Sequence, residues 1–95
     1  MSFEVDVPPE MKRLYIERRI ADLNAGRQAI QDNDFGFFER LGHQIKGNAQ
    51  SFGFEELSPI AIALEEAAQK RDIMNVQRVF ADFVYAVENL NISAG

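Results

Sequence analysis

The sequence predicts an all-α protein folded as an antiparallel, up-and-down four-helix bundle. Two observations point there. Apolar residues recur at three- and four-residue spacings in successive segments, as helices with one buried face require. Short polar punctuation joins these segments, so each helix returns alongside the one before it. Strand-like alternation, internal repeats and low-complexity stretches are absent from the sequence.

The first helix is expected over residues 9–31. Pro8 and Pro9 open it, since a first helical turn has no use for the missing N–H. Ile16, Ile20, Leu23 and Ile30 mark its buried face, with Arg27 in the intervening place. Gly26 inside this run should cost about 1 kcal/mol relative to alanine. Asp32-Asn33-Asp34 forms a turn, and Asp34 caps a second helix expected over 34–52. Phe38, Leu41, Ile45, Ala49 and Phe52 line its apolar face, and Gly53 offers a stop.

The third helix is expected over 55–70, with Leu57, Ile60, Ala61, Leu64 and Ala68 on one side. Ser58-Pro59 offers an alternative start one turn further in. Asp72 caps the fourth helix, expected over 72–91. There Ile73, Val76, Phe80, Phe83, Val87 and Leu90 keep the period without a miss. Residues 1–7 and 92–95 read as loose arms around a single domain spanning 1–95.

Ninety-five residues, 46% of them apolar and eight of them Phe, suffice for one compact core. Cysteine is absent and histidine occurs once, which excludes disulfides, thiolate metal sites and His/carboxylate zinc sites. No metal or other cofactor is therefore expected on this chain. A formal charge of −5 argues against nucleic acid as the main partner. The first twenty residues hold no apolar signal core, and no apolar run approaches the roughly 20 residues that cross a bilayer. A soluble cytoplasmic domain with no membrane partner is expected.

The single histidine is the residue to weigh. With Leu41 at 0° on a helical wheel, Ile45, Phe38, Ala49 and Phe52 cluster around ~50°, and His43 falls at ~200°. It therefore faces solvent in mid-helix. Glu39 lies one turn before it, Lys46 and Gly47 one turn after, and Gln50 two turns after. Gly42 and Gly47 are costly in a helix interior, and a glycine beside an exposed histidine clears room for another protein to approach. A neutral imidazole is a competent nucleophile near pH 7.

The segment Leu41-Gly42-His43-Gln44-Ile45-Lys46-Gly47-Asn48-Ala49-Gln50-Ser51-Phe52-Gly53 resembles the signature of histidine phosphotransfer (HPt) domains. That signature has a histidine followed by Lys at +3, Gly at +4, small residues, and Gly at +10. All of these positions match, and the similarity runs on through Phe54-Glu55-Glu56-Leu57 and Leu64-Glu65.

The resemblance implies that His43 accepts a phosphoryl group in a two-component phosphorelay. The partners it implies are a histidine kinase or hybrid kinase and a response-regulator receiver domain, which would bind the Mg²⁺. Lys46 would offset the charge of the phosphoryl, Gln50 would donate to it, and Gly47 would clear space for the partner. By offset from the histidine, Glu65 matches a third-helix polar position that approaches the other ring nitrogen, Nδ1. Phe35, Phe37 and Phe54 are the candidates for an apolar docking patch, with a place in the core the alternative for each.

A nucleotide-binding loop is absent, so no autokinase or other enzymatic activity is expected. Two alternatives remain at this level: a helical module that docks on a kinase or receiver without transferring phosphate, and a small bundle dimerising along the fourth helix. A monomer is the expected state.

Overall fold

A computed structural model describes residues 7–94, with side chains to residue 91. Its helices are α1 (Pro9–Gln31), α2 (Phe35–Asn48), α3 (Leu57–Gln69) and α4 (Ile73–Ala94), with a short 3-10 turn over Gln50–Phe52 between α2 and α3. Each helix packs on two neighbours in the ring α1–α2–α3–α4, closing an antiparallel bundle of 42 × 28 × 16 Å.

Local chemistry sets most of the helix ends. Pro8 precedes α1, and its carbonyl accepts the N–H groups of Met11 and Lys12. The Asp34 carboxylate caps α2 by accepting the Phe37 N–H at 3.1 Å. Asp72 does the same for α4 through the Asn75 N–H at 3.2 Å. The turns before these caps are tight enough to hold Asn33 and Arg71 at φ 51° and 56°. Arg71 bears that left-handed backbone while its guanidinium lies over the Phe35 ring.

Several sequence expectations are corrected. Helix α2 ends at Asn48 rather than continuing to 52. Gly53, at φ 85°, turns the chain back, and the residues before it tighten into the 3-10 turn. Helix α3 starts at Leu57, with neither the early start at 55 nor a Ser58 cap. Pro59 is its third residue, where a missing N–H still costs nothing.

On α1 the buried stripe includes Tyr15, Arg19, Gly26 and Ala29, while Arg27 is exposed. Arg19 can enter that stripe because Asp22 pairs with it at 2.7 Å and Tyr15 stacks beneath it. Helix α4 runs through Ala94, so residues 92–94 are not a loose arm. The arm expected at the N-terminus lies almost wholly outside the described residues.

The centre of the core follows the periodicity. Phe38, Ile45, Leu57, Leu64, Val76, Phe83 and Val87 are completely buried. Rings fill two regions: Phe38, Phe80 and Phe83 in the middle, and Tyr15, Phe52 and Phe54 at the end where α2 turns into α3. Gly26 has a packing reason for its place, since a Cβ there would land in the Phe80 ring.

Candidate functional site

The core face of α2 anchors Phe38, Leu41 and Ile45, which fixes the opposite face toward solvent. His43 stands in the middle of that outer face with its side chain 73% exposed. Placement of the imidazole depends on how closely α3 approaches. Gly42 faces α3 directly, where a Cβ would stand 2.6 Å from the Ala61 carbonyl oxygen and 2.9 Å from the Glu65 backbone nitrogen. With no side chain at residue 42, α3 comes near enough for Glu65 to reach across to α2.

Glu65 spans two partners. Its Oε2 lies 3.2 Å from His43 Nδ1, and its Oε1 accepts from Lys46 Nζ at 2.7 Å. The Lys46 ammonium holds the Glu65 carboxyl below its ordinary value, and the histidine contact adds to this. The carboxylate is therefore ionised near neutrality and acts only as an acceptor. The nitrogen facing it must carry the proton, so Nδ1 is the N–H and the lone pair of the neutral ring sits on Nε2. Among the described residues Nε2 has no hydrogen-bond partner.

Gly47 lies one turn on, and a Cβ built there would meet nothing within 4 Å. The surface beside the imidazole is open. Gln50 is exposed at the start of the 3-10 turn, two turns from His43, and its side chain makes no hydrogen bond among the described residues.

The structure brings His43, Lys46, Gly47 and Glu65 together, and leaves Gln50 at the margin. The bridge from Lys46 to Glu65 was not anticipated, because it depends on which residue of α3 lies opposite Lys46, and the spacing within α2 does not encode that. A hydrogen bond from the Tyr15 hydroxyl to Asn48 Oδ1 at 2.8 Å was also missed; it ties α1 to the end of α2.

Of the three candidates for an apolar patch, Phe54 belongs to the core and Phe35 and Phe37 are partly covered. Phe54 is buried against Tyr15, at 8% exposure, and the half-buried Phe37 packs edge-on against Phe38. Phe35, also half-buried, carries Arg71. Among the described residues, the large apolar side chains exposed on the helices flanking α2 are Met11 and Leu14 on α1 and Ile62 on α3, one turn before Glu65. Met11 and Leu14 border a cleft of about 420 Å³ that runs between α1 and the end of α2, past Asn48 and Phe52.

Among the described residues no helix is long and apolar enough to cross a membrane. No curated protein and no solved structure matches the chain significantly. The family model described as Hpt domain matches residues 10–91, nearly the whole chain.

Proposed function

The chain belongs to the Hpt domain family, whose role is histidine phosphotransfer in phosphorelays, and from that premise we propose that His43 carries the phosphoryl group. The single observation that supports this reading is the Glu65 carboxylate on Nδ1, which leaves a free, solvent-facing Nε2 lone pair.

In this mechanism Nε2 attacks the phosphorus of an aspartyl phosphate on a receiver domain. A P–N bond forms as the bond from phosphorus to the aspartate oxygen breaks, and the carboxylate leaves with the electron pair. The ring becomes an N-phosphorylated imidazolium whose Nδ1–H remains on Glu65. The positive ring is a good leaving group, so the reverse step onto another aspartate needs no further proton. Lys46 lies beside the transferring group and offsets part of its charge, and Gln50 is a second, outer donor. Gly47 leaves room for the partner's acceptor loop.

The receiver supplies the acceptor aspartate and binds Mg²⁺; this chain holds neither and does not phosphorylate itself. Met11, Leu14 and Ile62 form the apolar part of the docking face. The protein acts as a monomer in the cytoplasm, between a histidine or hybrid kinase and a response regulator.

Incubation with a phosphorylated receiver, or with the cognate kinase, tests the proposal. Wild type should acquire an acid-labile, alkali-stable label and His43→Gln none. Equal labelling of the variant would overturn it.

A further inference from the structure

Charge on the outer face of α2 is unevenly committed. Arg40 and Lys46 are the two cations there, one on each side of His43. Lys46 is matched at 2.7 Å by an ionised Glu65, so much of its field is already spent within the protein. Arg40 is exposed and takes part in none of the ion pairs among the described residues.

Its surroundings explain why. At helical spacing its neighbours are Gly36, Phe37, His43 and Gln44, none of them acidic. The half-buried Glu39 points about 100° away around the helix. The nearest carboxylate is Asp34, whose Oδ1 lies 3.5 Å from the point over Gly36 that Arg40 Nη1 approaches to 3.1 Å; it caps the Phe37 N–H and forms no ion pair with Arg40.

The guanidinium lies back over Gly36, where a Cβ would stand 3.1 Å from Nη1. Glycine at residue 36 therefore seats it low on the helix surface. Residue 36 is about 10 Å along the axis from His43. Seated there, the guanidinium points toward the start of α2 and away from His43.

We propose that Arg40 is a docking cation, which meets a carboxylate on the rim of the partner's phosphoryl-acceptor site. The inference rests on the reading of His43 given above. An acceptor built from an aspartate and a hard divalent cation is surrounded by carboxylates, because such cations take oxygen ligands. A fork of N–H donors without an internal partner complements such a rim, and costs the free protein no ion pair to offer. Arg40 acts on encounter and orientation, and not on the phosphoryl itself.

The test is single-turnover transfer from the phosphorylated protein to the receiver that accepts fastest, followed against receiver concentration at low and moderate salt. Arg40→Gln should raise the half-saturating receiver concentration by up to about fivefold. The maximal rate should stay unchanged and the salt dependence should weaken. Arg40→Glu should go further in the same direction, while Arg27→Gln on α1 should match wild type.

An unchanged half-saturation in Arg40→Gln and Arg40→Glu would overturn the proposal. A lower maximal rate at unchanged half-saturation would also overturn it, by assigning Arg40 to the phosphoryl. Failure of the His43 reading appears separately, as label that survives His43→Gln. Unaltered thermal melts confirm that the variants fold.

Discussion

Gly42 and Gly47 sit on one helix and meet opposite surroundings. Gly42 is pressed against the α3 backbone, whereas a side chain at residue 47 would enter open solvent. A glycine in a helix interior costs up to about 1 kcal/mol, and at residue 47 nothing inside the protein repays it. Gly47→Ala should therefore raise thermal stability by up to about that amount. Phosphotransfer to a receiver should fall by about tenfold or more, since a small misplacement at the reacting atoms is costly. Melting curves and transfer rates on the same preparation check both halves. A gain in stability with no loss of transfer would show that the clearance serves no partner.

The exposure of His43 was legible from the wheel, because the apolar residues of α2 fix its outer face. The role of Glu65 was legible only through the family's offset from the histidine. Its second bond, to Lys46, was not, since a glycine at residue 42 can mark close packing of another helix but not which of that helix's residues will meet Lys46.

At the scale of the helices, that nearness is set by Gly42. A methyl group at residue 42 would meet the Ala61 carbonyl and Glu65 backbone, neither of which can yield as a flexible side chain does. Gly42→Ala should push α2 and α3 apart and destabilise the protein by about 1–3 kcal/mol. It should also lengthen the Glu65–His43 contact, and imidazole nitrogen shifts would report this as weaker preference for the Nδ1–H tautomer. A variant as stable as wild type, with an unmoved tautomer, would remove Gly42 from this role.

Helix identity was readable throughout, from period and caps; Asp34 and Asp72 cap as their positions suggested. The ends of α2 and α3 were less so. Phe52 keeps the helical spacing although α2 has already ended, because the 3-10 turn still carries its ring onto Tyr15 at 4.6 Å. Phe54 lies beyond the left-handed Gly53, where the chain has changed direction and no wheel applies. Its burial against Tyr15 could be known only once α1 was in place.

The bundle as a whole bears on whether two copies associate. The fourth helix has the most regular apolar stripe in the sequence, which is the ground for the dimerising alternative. In the folded chain that stripe is already used: Val76, Phe80, Phe83 and Val87 are buried, and Ile73 and Leu90 are half-buried. Among the residues of α4 whose side chains are described, the exposed large apolar ones on its outside are Met74 and Tyr85, three turns apart and separated by Arg78 and Asp82. Two isolated side chains fall short of the contiguous patch that a stable homodimer buries. The net charge of −5 adds mutual repulsion between copies. Sedimentation from micromolar to near-millimolar concentration should therefore show one species at the monomer mass of 10.8 kDa. Met74→Ala and Tyr85→Ala should leave that mass unchanged. A concentration-dependent shift to twice the mass, abolished by either substitution, would instead make the outer face of α4 a dimer seam.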